Sequence, residues 1–311
     1  MKGLELSRAY YETFGAPMLE REFPEVLQHA AVGLVGQGSE CLGYDDEVSQ
    51  DHDFEPGFCI FQPSEEVVDR RSAFLLERAY AKLPDTFMGY RRNILSPVGG
   101  NRHGVLRLEQ FLKERLGVVW PDVNAWMQIP EQGFVEVLSG ELVRDDSGEF
   151  TRLRRYLSKM PEDVRRKKLA GQLLLMAQSG EYNYIRCLKH GEPGAAQLAV
   201  TEFCRAAMHA AFLLNGRYMP YYKWQFRALR ALPKLSETAE PLLRMLTTGN
   251  GSAEAEVKIR DGRLVARMII DEMKAQGLPE GDPAEMEPLA YALNDTITDG
   301  WIRNLHILYA V

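Results

Sequence analysis

Residues 31–61 of the chain read AVGLVGQGSECLGYDDEVSQDHDFEPGFCIF, and the rest of the sequence is best understood from this segment. An apolar run over residues 31–35 predicts a buried strand, and Gly36-Gln37-Gly38-Ser39 ends it. An acidic loop follows, and Asp51-His52-Asp53 then leads into the apolar Phe58-Cys59-Ile60-Phe61. A glycine-rich loop and an aspartate pair are therefore held between two apolar segments of the chain.

Asp51 and Asp53 have the spacing of a metal-binding carboxylate pair. In an extended strand alternate side chains share a face, so both would project together, roughly 6–7 Å apart at their Cα atoms. Two carboxylates there repel unless a cation or a proton lies between them, and Mg²⁺ favours such ligands together with water and substrate phosphates. Gly38 leaves room for a phosphate to approach the backbone, and Ser39 offers a hydroxyl and an N–H to the same anion. The pattern is typical of a phosphate-binding loop facing a metal site.

Three other motifs fail on spacing. A dinucleotide-binding G-x-G-x-x-G starting at Gly36 would need a glycine at Cys41. An EF-hand loop starting at Asp51 would need glycine at Pro56 and glutamate at Gln62, and the chain has no G-K-[ST] for a Walker A loop. The alternative that stays open is an ordinary polar loop, because Gly-Ser and Asp-x-Asp are both common in loops.

The motif also carries a family resemblance. Gly38-Ser39, eleven intervening residues and Asp51-x-Asp53 resemble the signature of the nucleotidyltransferase superfamily that includes DNA polymerase beta. The longer string GSECLGYDDEVSQDHDF resembles an uncharacterised bacterial nucleotidyltransferase-like family, a domain of unknown function (DUF4037-like). The sequence PYYKW, Pro220 to Trp224, is similar to the C-terminal helical region of that family.

The resemblance implies a role for each matching residue. Gly38 and Ser39 would hold the phosphates of a nucleoside triphosphate, with ATP as the expected donor. Asp51 and Asp53 would be the catalytic residues that bind Mg²⁺. Lys223 would reach the triphosphate as a further nucleotide-binding residue; the alternative is a packed aromatic hinge with a lysine whose charged end extends to solvent.

The chain departs from the superfamily pattern in three places. His52 stands between the aspartates, where an apolar residue is usual, and Glu40 stands where antibiotic-modifying relatives often carry a basic residue. The superfamily usually has a third carboxylate on a later strand, and the open candidates are Glu109, Asp122 and Glu136. Two-metal catalysis depends on that third carboxylate.

Composition limits the class of protein and its partners. The chain is 45% hydrophobic and 26% charged, which is ordinary for a globular protein. Lys plus Arg number 37 against 44 for Asp plus Glu, and the net charge of −7 argues against broad binding to nucleic acid. We find no signal-peptide pattern and no apolar run long enough to span a membrane, so we expect a cytoplasmic protein without membrane partners.

The cysteines show no metal-binding spacing and are expected to be reduced and packed: Cys41, Cys59, Cys187 and Cys204.

Helical patterns flank the motif and dominate the second half. Residues 4–22 have helical spacing that predicts a helix packed on the sheet, and residues 65–83 predict a helix with Phe74, Leu75 and Leu76 towards the core. A boundary after the turn at residues 145–148 fits, because the pattern beyond it is almost wholly helical. We therefore expect an α+β protein with a nucleotidyltransferase-like mixed sheet with helices in residues 1–155 and a C-terminal helical bundle in residues 156–311.

Several charged residues outside the motif allow two interpretations. Tyr44-Asp45-Asp46-Glu47 could bind a second cation, but a solvated acidic loop is favoured. Asn101-Arg102-His103 could receive a phosphate, although surface arginines are common. The basic cluster Arg165-Arg166-Lys167-Lys168 is interpreted as a solvated face, and His209 on an alanine-rich helix as a core histidine.

The leading functional hypothesis is Mg²⁺-dependent transfer of a nucleoside monophosphate from a nucleoside triphosphate to an unknown acceptor, a small molecule or a protein. The alternative is a catalytically inactive nucleotide-binding regulatory protein of the same fold. The sequence fixes neither the acceptor nor the oligomeric state, because fold does not imply substrate.

Overall fold

The computed structural model describes residues 1–51, 54–92 and 102–311, apart from the side chains of Gln50 and Asp51. The fold is α+β and mostly helical, with a small mixed sheet. The predicted fold class is thereby confirmed at this level.

The central sheet has the strand order β5-β2-β1-β6. Strand β1 pairs antiparallel with β2 and with β6, whereas β2 and β5 are parallel. A separate two-stranded ribbon joins β3 and β4. The described strands are β1 Ala31–Leu34, β2 Cys59–Gln62, β3 Thr86–Phe87, β4 Tyr90–Arg91, β5 Gly104–Arg107 and β6 Glu141–Asp145.

The two central strands, β1 and β2, are each four residues long and buried from end to end. Gly33 has no side chain at the point where β6 crosses closely, and a Cβ there would collide with the Glu141 carbonyl oxygen. The register shifts between Val32 and Gly33, which is the irregularity that this close approach requires.

Helices cover the sheet, and the first of them follows the predicted spacing. Helix α1 is continued by a π-helical turn over Tyr11–Gly15 and by α2, and Leu6, Tyr10 and Met18 on its inner face are buried. The prediction for residues 4–22 is therefore confirmed. The helices of this part of the chain are α1 Gly3–Tyr10, α2 Ala16–Glu22, α3 Pro24–Leu27, α4 Arg70–Ala81, α5 Leu108–Leu116, α6 Val123–Gln128, α7 Glu131–Leu138 and α8 Glu149–Leu157.

Helix α4 corrects one detail of the sequence analysis. It begins after Asp69, whose carboxylate accepts a hydrogen bond from the Ser72 N–H and caps the helix. Leu76 is buried, but Phe74 and Leu75 are exposed. The prediction that all three apolar residues face the core is wrong, because consecutive residues on a helix point in different directions.

The chain divides into two compact units. The first contains residues 1–121 and 133–159, and the second contains residues 122–132 and 160–311. The sheet belongs to the first unit, and the segment 122–132, which carries α6, belongs to the second.

The second unit is helical throughout its described length. Helix α9 packs against α11 and α15, and its buried positions lie around most of its circumference. No helix among the described residues has the length and apolar character needed to cross a membrane. Its remaining helices are α9 Glu162–Met176, α10 Tyr184–Lys189, α11 Pro193–Leu214, α12 Gln225–Arg230, α13 Ala239–Thr247, α14 Ser252–Ala275, α15 Met286–Asp295 and α16 Gly300–Asn304, with a π-helical turn at Ala177–Asn183 and 3₁₀ turns at Tyr222–Trp224 and Ser236–Thr238.

Candidate functional site

At one end of the central strands, the segments that flank the sequence motif lie side by side. Gly33 near the end of β1 pairs with Cys59 at the start of β2, and Cys59 pairs with Gly104 at the start of β5. The glycine-rich loop follows the end of β1, and the chain after the aspartate pair enters the sheet at the start of β2. Because β1 and β2 are antiparallel, these two points are neighbours at the same end of the strands.

The backbone of the loop requires glycine at two positions. Gly36 and Gly38 have φ values of +137° and +123°, a region that residues with a side chain rarely adopt. At Gly38 a Cβ would also collide with Nη2 of Arg102 and would lie 2.6 Å from Oε1 of Glu40. Gly38 therefore allows the guanidinium of Arg102 to lie directly against the loop.

Arg102 is held in that place by two acceptors. Its Nη2 donates to the carbonyl oxygen of Gln37 at 2.7 Å and also to the carboxylate of Glu40. Both side chains are largely buried, so the ion pair is poorly screened by solvent. The structure thus places one cation of the Asn101-Arg102-His103 segment at the predicted phosphate-binding loop, while Asn101 lies outside the described residues.

The aspartate pair is described only in part. Asp51 is the last residue of a 3₁₀ turn, Val48–Asp51, and its side chain lies outside the described part of the chain. His52 and Asp53 also lie outside the described residues. The expectation that Asp51 lies in an extended strand is wrong, because the strand begins only at Cys59.

The acidic loop before Asp51 has structural contacts. Asp45 is buried and accepts a hydrogen bond from the Gly3 N–H at 2.8 Å, with the ammonium of Lys2 3.4 Å from its other oxygen. Asp46 accepts hydrogen bonds from the N–H and the hydroxyl of Ser49. The interpretation of this loop as simply solvated is therefore wrong for Asp45.

Two of the three candidates for a third carboxylate lie in helices, and the third, Asp122, caps the start of one. Glu109 pairs with Lys113 on the surface of α5, and Asp122 caps α6 by accepting the Ala125 N–H. Glu136 lies on α7, with its carboxylate 3.7 Å from Nε of Arg115. None of these three lies on a strand, where the superfamily pattern would have it.

Lys223 lies in a short 3₁₀ turn and is exposed. Its ammonium is 5.2 Å from the centroid of the Trp224 ring, within range of a cation–π interaction. The turn begins at Tyr222, two residues after Pro220. The predicted nucleotide contact of Lys223 stays a prediction.

The cysteines are free thiols, as expected. Burial raises the pKa of Cys59 to about 12 and that of Cys204 to about 12, so both are protonated at neutral pH. No cluster of three or more potential metal-ligating His, Cys, Asp or Glu residues occurs within the described residues.

A second candidate site lies wholly within the helical unit. It is a cleft of about 570 Å³ lined by residues of the 122–132 segment, α9, α11 and the chain before α12, and by Tyr309. A volume of this size suits a small organic ligand. The side chains that give the cleft its charge are Glu131, Lys168, Glu202, Arg205 and His209.

Glu131 is the buried centre of this cleft. Its Oε1 lies 2.8 Å from Nε2 of His209, and its Oε2 accepts the N–H of Met219 at 2.8 Å. Burial acts to raise the pKa of Glu131, but His209, Lys168 and the Met219 N–H outweigh it and hold that pKa below its usual value. Glu131 is therefore a buried carboxylate that stays charged. His209 lines a cleft and pairs with Glu131, so its interpretation as a core histidine is wrong.

The basic cluster on α9 is also different from the solvated face that we expected. Lys167 is fully buried, and its ammonium donates to Asn294 Oδ1 at 2.8 Å and to the carbonyl oxygens of Arg303 and Leu305 at 3.2 and 2.6 Å. The Lys168 side chain is only 5% exposed, and its Nζ lies 3.6 Å from Oε1 of Glu131. That distance is too long for a hydrogen bond.

One sequence signal could have revealed the burial of the two lysines. The residues after them, Leu169-Ala170-Gly171-Gln172-Leu173-Leu174, supply apolar side chains around the whole helix, and such a helix is buried on all sides. Nothing local marked Glu131 as the partner of His209, because 78 positions separate them.

Comparison with known proteins bears on the second unit more than on the first. Residues 126–225 match the family described as Domain of unknown function (DUF4037). This match supports the resemblance to that family, and its range includes Glu131, Lys168 and His209 as well as PYYKW. No curated protein matches the chain, and no solved structure does.

Proposed function

We propose that the protein is a nucleotidyltransferase that moves a nucleoside monophosphate from a nucleoside triphosphate to an acceptor. One observation carries the proposal: the Gly36–Ser39 loop and the segment that follows Asp51 and Asp53 meet at the same end of the paired strands β1 and β2. The positive φ of Gly38 and the absence of its Cβ allow the Arg102 guanidinium to lie against this loop, where a cation would favour an anionic ligand.

Several residues of the chain would bind the triphosphate, each through a different contact. Ser39 and the loop N–H groups would donate to phosphate oxygens, and Arg102 holds the loop conformation while adding positive charge beside it. Lys223 would offset further negative charge. Glu40 takes part in the ion pair with Arg102, so this arginine supplies a cation beside the position where antibiotic-modifying relatives often carry a basic residue.

The donor set of the motif suits Mg²⁺, because two carboxylates are its preferred protein ligands when phosphates complete the coordination. Asp51 and Asp53 would hold it, and the ion would supply charge to the phosphates and acidity to the attacking hydroxyl. The oxygen of the acceptor hydroxyl would attack the α-phosphorus and form the new ester bond while the bond from that phosphorus to the bridging oxygen of the β-phosphate breaks. Pyrophosphate would leave, and the hydroxyl proton would pass to solvent.

The alternative is a nucleotide-binding regulatory protein without transfer activity. The positions of Glu109, Asp122 and Glu136 favour it, because none lies on a strand and each has a capping or ion-pair contact. Nucleotide binding without release of pyrophosphate across a panel of small-molecule and protein acceptors would support this alternative.

The test is calorimetric titration of ATP, GTP, CTP and UTP, with and without Mg²⁺, into the wild type and the Asp51→Asn/Asp53→Asn variant. We expect Mg²⁺-dependent binding that the variant weakens on the order of 100-fold, because it loses two charged metal ligands. Glu47→Gln removes an exposed charge of the neighbouring acidic loop and is the matched control. Equal binding by the wild type and the double variant would end the proposal.

A further inference from the structure

The cleft of the helical unit contains two polar side chains that the protein leaves without hydrogen bonds. Lys168 and Gln172 lie one turn apart on α9, both are more than nine-tenths buried, and both line the cleft. Neither forms a hydrogen bond with another residue of the described chain. Within the described residues Lys168 has only the Glu131 carboxylate at 3.6 Å, and no hydrogen bond is made by either side chain, so a ligand in the cleft that accepts hydrogen bonds from both would gain free energy.

The neighbouring lysine shows that α9 can satisfy a buried ammonium where the fold alone requires it. Lys167 has three oxygen acceptors between 2.6 and 3.2 Å. Lys168, one position later, has one carboxylate oxygen at 3.6 Å. The difference indicates that the donors of Lys168 are directed to something other than the fold.

Glu131 is already satisfied and does not need Lys168 as a donor. His209 and the Met219 N–H each bind one of its oxygens. Arg205, which is exposed, lines the same cleft and adds a second cation. Glu202 also lines the cleft, so two carboxylates match the charges of Lys168 and Arg205. What the cleft offers beyond these charges is the hydrogen-bond donors of Lys168 and Gln172.

We propose that this cleft binds a small organic anion, whose carboxylate or phosphate oxygens accept hydrogen bonds from Lys168 and Gln172. Two donors on adjacent turns suit two oxygens of one anionic group. Tyr221 and Tyr222 line the same cleft with exposed rings, which provide contact area for the uncharged part of the ligand. This site needs neither Mg²⁺ nor the aspartate pair and goes beyond the nucleotidyltransferase proposal.

The test is calorimetric titration of the full chain with three probes that share a phenyl ring: benzoate, phenyl phosphate and neutral benzamide. The buffer contains a chelator and no Mg²⁺, so that a metal-dependent nucleotide site contributes nothing. We expect at least one anion to bind more tightly than benzamide. The preferred anion distinguishes a carboxylate ligand from a phosphate ligand.

Three variants connect the binding to the named residues. Lys168→Met keeps the length of the side chain and removes its charge, and we expect it to weaken anion binding about 10- to 100-fold. Gln172→Glu places a negative charge beside the anion and should weaken binding at least about 10-fold, which provides a test even if Lys168→Met does not fold. Lys189→Met removes an exposed charge elsewhere in the unit and should leave the affinity unchanged.

The proposal is wrong if benzamide binds as tightly as both anions, or if none of the probes binds at millimolar concentration. Unchanged anion affinity in folded Lys168→Met or in Gln172→Glu would equally overturn it. Because Asp51→Asn/Asp53→Asn should retain anion binding, failure of this proposal and failure of the nucleotidyltransferase proposal are distinguishable.

Discussion

The loop at Gly38 and the cleft at Glu131 both place a carboxylate beside a cation, yet they use the cation differently. At the loop, Arg102 donates to Glu40 and to the Gln37 carbonyl, so the guanidinium is held by the chain. In the cleft, other donors satisfy Glu131, and Lys168 remains 3.6 Å away.

This difference distinguishes an ion pair that stabilises the fold from a cation that is available to bind a ligand. A buried cation with hydrogen bonds to several protein oxygens stabilises the surrounding backbone. A buried cation without such hydrogen bonds destabilises the folded protein, and residues of this kind are found mainly at ligand-binding sites. On this criterion the motif identifies the loop, whereas only the contacts identify the cleft.

The largest expected effect compares the two buried lysines. Lys167→Met should lower the free energy of unfolding by about 3 kcal/mol or more, because it removes the three hydrogen bonds of a buried ammonium and leaves Asn294 Oδ1 and the Leu305 carbonyl oxygen without that donor. Lys168→Met should cost less, about 1 kcal/mol, because it removes no hydrogen bond. It does remove a cation that helps to hold down the pKa of Glu131, but Glu131 keeps its other two partners. Urea denaturation of both variants measures the difference. Equal losses would show that Lys168 serves the fold as Lys167 does.

A smaller effect tests the close approach of Arg102 to the loop. Gly38→Ala should destabilise the protein by roughly 2–3 kcal/mol, because a strained φ and a collision with the guanidinium add together. Gly43→Ala is the matched control: Gly43 has φ of +71°, and a Cβ there meets no atom within 4 Å. It should cost about 1 kcal/mol. Thermal denaturation that ranks the two variants equally would contradict the role given to Arg102.

The smallest effect concerns pH and returns to the cleft. The folded-state pKa of Glu131 is lowered, so its contribution to stability is present above the unfolded value of about 4.3 and is lost as pH falls through the folded pKa. In Glu131→Gln that part of the acid dependence should disappear. Urea midpoints measured between pH 6 and pH 3 test this, with Glu47→Gln as an exposed control. Identical pH slopes for wild type and Glu131→Gln would show that Glu131 is not stabilised in its charged form.

Much of the first unit could be predicted from local patterns. The apolar run over residues 31–35 predicted β1, and the spacing of residues 4–22 predicted a helix packed on the sheet. These features follow from the periodicity of apolar residues, which depends only on neighbours in the chain. The extended conformation expected at Asp51 was wrong. A strand is recognised by alternating apolar and polar residues, and the polar segment around Asp51 has no such alternation.

The cleft could not be predicted in the same way. Lys168 and His209 were each interpreted by the character of their own helix, as a solvated lysine and a core histidine. Glu131 changes both interpretations, and it comes from a segment 78 positions before His209. Arg102 likewise reaches Glu40 across 62 positions.

The sequence by itself determined the α+β class, the buried strand before the glycine-rich loop and the need for glycine where a loop leaves that strand. These depend on side-chain period and on backbone sterics, which are local properties. Only the tertiary structure decided which charges meet. Burial removes the water that would otherwise solvate each charge, so the partners that replace that water are set by the packing of distant segments.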